Sequence, residues 1–149
     1  MQRAADPVKG KMVFENKCQR CHGNYGEGVM YPDSTSFIYP PLWGPQSYNI
    51  SAGLYRISRL AAFIKYNMPF DLTQISPQVS DEEAWDVAAF ISSQPRPEKK
   101  FADDWPKPET KPEDYPFGPY TDAFSEQQHK YGPFVPIKEA KEKRSSGLK

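Results

Sequence analysis

Apolar residues recur along the first hundred positions at the spacing of buried helix faces. Asp6 followed by Pro7 predicts a helix that begins there, with the aspartate as N-cap and the proline at the first helical position. Gly10, Val13 and Phe14 then share one face, and the helix runs on towards Cys18. A second helix is predicted over roughly residues 52 to 66, with Leu54, Ile57, Ala61 and Ile64 at helical spacing. It ends near Asn67, because Pro69 cannot continue it. The third helix is marked best. Ser80 and Glu83 stand in capping-box register, Ala84, Val87, Ala88 and Ile91 form a stripe flanked by Trp85 and Phe90, and Pro95 stops the run. Clusters of Gly, Pro, Asn and Ser between these segments read as loops. No segment alternates convincingly as a strand, so an all-α fold is expected.

Composition narrows what such a fold does. A chain of 149 residues suits one domain, or one domain with an extension. Basic and acidic residues number 19 each, and zero formal charge argues against gripping nucleic acid or an anionic surface by bulk charge. Hydrophobic residues are only 38%, yet aromatics are 14% and prolines number 16, so something other than its own aliphatic side chains is expected to complete the core. No run approaches the ~20 apolar residues of a membrane span. The opening MQRAADPVKG has no apolar core of a signal peptide.

Cys18 and Cys21 stand in CQRCH, directly before His22. C-x-x-C-H is the attachment sequence of c-type haem: two thiols add across the porphyrin vinyl groups and the adjacent imidazole reaches the iron. A thioredoxin-type redox pair would need a preceding strand and a βαβ context. A zinc site would need two more ligands, and the only other histidine, His129, is remote. A plain disulfide leaves His22 unexplained. One covalently bound haem c is therefore the expected cofactor.

A second axial ligand is most often a methionine sulfur from a distant loop. Met1 is a terminus, Met12 lies in the first helix, and Met30 sits in a Gly-rich loop just after the motif. Met68 follows His22 by 46 residues, at the end of the second helix in YNMPF, and is the expected sixth ligand. Packing alone is the competing role for it.

With these landmarks the chain resembles the class I c-type cytochromes. GKMVF at 10 to 14 is similar to the family's N-terminal helix, where a small Gly admits the C-terminal helix. DVAAFI at 86 to 91 is similar to that C-terminal helix, with Phe90 at the crossing. PPLWG at 40 to 44 resembles the P-x-L-x-G segment, and the resemblance implies that the Pro40 carbonyl accepts a hydrogen bond from the His22 ring. It covers about residues 6 to 97 and implies three main helices around one haem. A narrower resemblance, carried by PPLWGPQSYN, AGLYRI, FIKYNMP, DVAAFISSQPRP, DDWP, GPY and QHKYGPF, is to the C-terminal haem domain of diheme thiosulfate dehydrogenases. Those enzymes make tetrathionate at a first haem ligated by His and Cys, and a second haem exports the electrons. Here both cysteines belong to the one attachment motif, so the resemblance implies the electron-exporting half.

Residues 1–97 are expected to form the haem domain and 98–149 an extension. The extension has 7 prolines and 20 charged residues, which suggest disorder, but also Phe101, Trp105, Tyr115, Phe117, Tyr120, Phe124, Tyr131 and Phe134, which do not. We expect an irregular strap whose aromatics dock on the haem domain to about residue 137, a role as partner-docking surface being the rival, and then a mobile charged end. His129 is expected to bond locally rather than to bind iron. Arg56 and Arg59, the cations nearest the ligand loop in sequence, are candidate partners of a haem propionate, with Trp43, Tyr48 and Asn49 on weaker grounds.

A closed His22/Met68 site predicts a one-electron carrier serving redox partner proteins: a donor dehydrogenase, of sulfur compounds or another respiratory substrate, and an acceptor cytochrome or oxidase. The alternative is substrate chemistry at the haem, as in a thiosulfate dehydrogenase or tetrathionate reductase subunit; a gas sensor is a third reading. Both need an open sixth position. Haem attachment outside the bacterial cytoplasm implies a periplasmic address and a cleaved signal peptide.

Overall fold

Helix α1 (Pro7–Lys17) starts where the Asp6–Pro7 pair places it: the Asp6 carboxylate accepts hydrogen bonds from the Val8 and Lys9 N–H groups. The computed structural model describes residues 1–99 and 105–147. Phe101 and the last two residues of the expected mobile end lie outside the described residues. The chain divides into two compact units, one of Asp6–Lys99 and one of Met1–Ala5 with the described part of Lys100–Lys149.

In the larger unit α1 leads into a short helix α2 (Gln19–His22), a small hairpin of β1 (Val29–Met30) and β2 (Phe37–Tyr39), α3 (Ile57–Asn67) and α4 (Asp81–Ser93). The antiparallel hairpin sets Val29 opposite Tyr39 and Met30 opposite Phe37. It is too short to have shown alternation in the sequence, and the fold is otherwise helical.

α4 packs on both α1 and α3. Its tightest contact is at Gly10, where a Cβ would stand 1.9 Å from the Asp86 carbonyl oxygen and 2.9 Å from the Phe90 Cβ. The Asp6 N–H also donates to the Asp86 carboxylate at 2.8 Å, fixing the start of α1 against the middle of α4. Phe14, 1% exposed, packs its ring 4.9 Å from Trp43 and 5.5 Å from Phe90. The capping box of α4 is complete: Ser80 Oγ accepts from the Glu83 N–H and Glu83 accepts from the Ser80 N–H. Lys17 Nζ donates to the same Glu83 carboxylate, joining the end of α1 to the start of α4.

α3 begins at Ile57 rather than near residue 52. Gly53 adopts a left-handed φ of +66°, and Arg56 is still extended, so no helix passes through them. Leu54 therefore lies outside the stripe of Ile57, Ala61 and Ile64 that α3 buries.

The smaller unit is more regular than the strap expected from its sequence. It contains a 3-10 turn (Pro108–Thr110), α5 (Glu126–Tyr131) and α6 (Val135–Ser146), so the charged end expected past residue 137 is helical through Ser146. Ser125 caps α5, while α6 has Pro136 in its first turn and seats a fully buried Ile137. One buried residue on a polar helix leaves no stripe to read. Its aromatics pack on each other: Trp105 and Phe117 flank Tyr115 at 5.0 and 5.8 Å. Lys111 Nζ donates to the Phe117 and Pro119 carbonyls at 2.9 and 2.8 Å. No helix among the described residues is long and apolar enough to cross a membrane.

Two predictions follow from the helix contacts. Gly10→Ala forces α1 and α4 apart and should lower unfolding free energy by about 2–3 kcal/mol, as overpacking does. Chemical denaturation checks this, and a loss under about 0.5 kcal/mol contradicts it. The Glu83 carboxyl is held below its ordinary value of 4.5, first by the Lys17 ammonium and then by the Ser80 N–H. Because the folded value is the lower one, this stabilisation is whole above the unfolded value and is lost as pH falls through the folded value. Glu83→Gln should therefore flatten the loss of stability between about pH 5 and pH 3, and parallel curves would contradict the assignment.

Candidate functional site

Cys18 closes α1 and opens α2, and its carbonyl accepts hydrogen bonds from the N–H groups of Cys21 at 3.1 Å and His22 at 3.0 Å. One tight turn thus carries two thiols and an imidazole. All three side chains line a single cavity of about 540 Å³, and Met68 lines it too. That volume lies within the roughly 300–1,000 Å³ usual for cofactor sites. Much of the remaining wall is apolar, built from residues such as Leu42, Leu60, Ile64, Val79 and Ile91.

Met68 reaches the cavity because α3 stops there. Its N–H closes the last turn on the Ile64 carbonyl at 2.9 Å, while its own backbone is already extended and leads to Pro69. Three residues on, Asp71 takes the Arg20 guanidinium at 2.8 and 2.9 Å. This pair ties the turn bearing His22 to the loop bearing Met68. Both side chains are about half exposed, so solvent screens the pair and it orients the two segments more than it stabilises them.

Burial sets the electrostatics. It pushes the Cys18 thiol up to about 11, against the opposing charge of Lys17. It also lowers the His22 value, although the Pro40 carbonyl, which faces the ring, acts the other way. Nδ1 of His22 is buried and completes no hydrogen bond of full geometry, so that carbonyl approaches without closing the contact. A neutral imidazole at neutral pH is the form that binds a metal. The donor set therefore fits a haem: paired thiols, a neutral imidazole and a thioether around an apolar cavity. Among the described residues the βαβ context of a thioredoxin is missing, since the two strands there both follow the motif. Among the described residues, no three His, Cys, Asp or Glu side chains cluster as a metal site.

The other residues singled out in the sequence divide. Pro40 and Tyr48 line the cavity. Trp43 does not: its ring is 8% exposed, packed between Phe14 and Phe90, the latter at 5.6 Å. Asn49 turns its carboxamide oxygen back on the Ser51 N–H and hydroxyl at 3.1 and 2.9 Å. Arg56 is the N-cap residue of α3, Arg59 is exposed on that helix, and neither is on the cavity wall. From the first turn of α3 it is Leu60 that reaches the cavity wall. Arg96, which the sequence reading passed over, stands 5.5 Å from the Tyr48 ring centroid. Its only signal was its place between two prolines in QPRP.

His129 belongs wholly to the smaller unit. It is 1% exposed, with Nδ1 2.9 Å from the Glu113 carbonyl, Nε2 3.0 Å from Asp122 and its ring stacked on Tyr120 at 3.8 Å. Burial alone would push the Asp122 carboxyl up, but the hydrogen bonds from His129 and the Phe124 N–H hold it below its usual range.

A family model described as Cytochrome c matches residues 7–95. The thiosulfate dehydrogenase of Allochromatium vinosum is 42% identical over 97 residues, which are 65% of this chain and 34% of that protein. The thiosulfate dehydrogenase of Thiomonas intermedia is 44% identical over 97 residues, 65% of this chain and 29% of that protein. The chain thus spans about a third of the length of these relatives. Among solved structures, the thiosulfate dehydrogenase TsdBA from Marichromatium purpuratum matches at 41% identity with a TM-score of 0.56, over 63% of this chain and 19% of that one.

The two thiols are expected to carry the group covalently. Expressed with a haem-attachment system, the protein should gain the mass of one haem, and Cys21→Ala should leave a single thioether with a red-shifted reduced pyridine spectrum. A variant spectrum identical to that of the unsubstituted protein would contradict attachment through Cys21.

Proposed function

Since the chain belongs to the cytochrome c family, with one haem c bound covalently through Cys18 and Cys21 of its C-x-x-C-H motif, we propose that His22 and Met68 close both axial positions and that the protein is an electron carrier. The observation that carries this reading is the meeting of Cys18, Cys21, His22 and Met68 on one cavity. Bound there, the haem supplies one-electron Fe(III)/Fe(II) exchange.

The chain's own residues would do the rest. His22 presents a neutral nitrogen, and its orientation is set by the turn at Cys18, with the Pro40 carbonyl facing the ring. Met68, held by the end of α3, excludes an exogenous ligand and raises the potential relative to a second imidazole. Leu60, Ile64 and Ile91 keep water from the iron. The cavity opens beside a rim of partly exposed apolar side chains, among them Ile38, Phe63 and Phe70, which suits brief docking of a redox partner. A donor dehydrogenase and an acceptor cytochrome or oxidase are the proposed partners. The proposed address is the periplasm, because haem is joined to C-x-x-C-H thiols outside the bacterial cytoplasm.

A second reading, thiosulfate or tetrathionate chemistry at this site, is favoured by the name of the relatives. Against it stands the cysteine count: both cysteines of these 149 residues are in the attachment motif, leaving no further thiol to hold a sulfur substrate or to ligate iron. The role we propose is therefore electron export from such chemistry.

Met68→Ala separates the two. The potential should fall by on the order of 0.1 V or more, part of the roughly 0.8 V that axial ligands span. The reduced variant should bind carbon monoxide promptly while the unsubstituted protein does not. Thiosulfate oxidation by the unsubstituted protein with an artificial acceptor, or an unchanged potential in Met68→Ala, would overturn the carrier reading.

A further inference from the structure

Arg96 lies three residues beyond α4, near the end of the larger unit. Two backbone hydrogen bonds lay its segment along the loop that carries Tyr48. The Gly44 N–H donates to the Pro95 carbonyl at 2.8 Å, and the Ile50 N–H donates to the Pro97 carbonyl at 3.0 Å. The residues on either side of Arg96 are thus both anchored, and Pro95 and Pro97 stiffen the backbone between them. Its guanidinium carbon stands 5.5 Å from the centroid of the Tyr48 ring, and Tyr48 is part of the cavity wall.

The arginine is held in place yet incompletely satisfied. Nε is buried and makes no hydrogen bond, and among the described residues no carboxylate pairs with this side chain. Burial disfavours the charged form and lowers its value. The aromatic face attracts the guanidinium but accepts no hydrogen bond in the guanidinium plane, so the buried Nε–H is left without an acceptor. A carboxylate would satisfy it, since the guanidinium fork matches carboxylate geometry.

Haem brings carboxylates of its own, the propionates. We propose that Arg96, which is not itself on the cavity wall but stands against Tyr48, which is, is the cation that holds a haem propionate, with the Tyr48 ring as the platform that fixes the guanidinium plane. The inference rests on the haem c reading given above. Arg96 is a positioning residue: it orients the group's edge and places a positive charge beside the iron. A nearby positive charge favours the reduced state, so its removal lowers the potential.

The test compares the haem-loaded protein with Arg96→Gln, Arg96→Lys and Arg59→Gln by potentiometry and resonance Raman. Haem attachment, checked first, stands or falls with the functional reading; the comparison among variants decides the role of Arg96. In Arg96→Gln the potential should fall and the propionate bending band should move to lower frequency. Arg96→Lys, which keeps the charge but loses the fork, should hold the potential and still shift the band. Arg59→Gln should alter neither. An unmoved band in Arg96→Gln, a potential that falls as far in Arg96→Lys as in Arg96→Gln, or an equal response in Arg59→Gln overturns the proposal. Should Arg96→Gln fail to take up haem, Arg96→Lys decides by the band alone, and an unmoved band overturns the proposal.

Discussion

The approach of α1 to α4 at Gly10 is the constraint from which the site follows. The space left for any side chain there is negative, since a Cβ would sit 1.9 Å from the Asp86 carbonyl oxygen. Backbone therefore meets backbone, and the Asp6 N–H to Asp86 bond and the Lys17–Glu83 pair hold the two ends of the same contact. α1 so placed delivers Cys18, Cys21 and His22 to the cavity. α4, which contributes Ile91 to the cavity wall, also packs on α3, and α3 delivers Met68. Two helix ends, each stopped by its own local chemistry, become the two sides of one site.

Much of this was legible in the sequence, because the deciding signals are local. Asp6–Pro7 and the Ser80–Glu83 box are capping chemistry that acts within one turn, and both appear where the residues predict. The C-x-x-C-H motif likewise fits on one turn. Signals that depend on tertiary neighbours were harder to read. Trp43 has a polar edge that suits a carboxylate, but packing between Phe14 and Phe90 claims it for the core. Arg56 and Arg59 were judged by distance along the chain, whereas Arg96 is brought beside Tyr48 by loop pairing that no periodicity records. α6 escaped notice for a similar reason: its one fully buried apolar residue, Ile137, gives no pattern.

Three cations of the larger unit are paired locally with carboxylates. Arg20 is taken by Asp71, Lys65 by Asp81 and Lys17 by Glu83. Formal neutrality leaves little net field to steer a partner. Recognition would then fall to the apolar rim, where complexes form and part quickly because little charge must be desolvated. That suits a carrier, whose complexes must dissociate after each transfer. The relatives named thiosulfate dehydrogenase are roughly three times as long as the matched region.

The central claim is that iron held by this chain has no open position. The most direct measurement is the far-red charge-transfer absorption of the oxidised, unsubstituted protein, which a methionine sulfur bonded to ferric haem produces. The account predicts that the band is present at neutral pH. Its absence would mean that Met68 does not bind the iron, and the closed-site carrier would be contradicted.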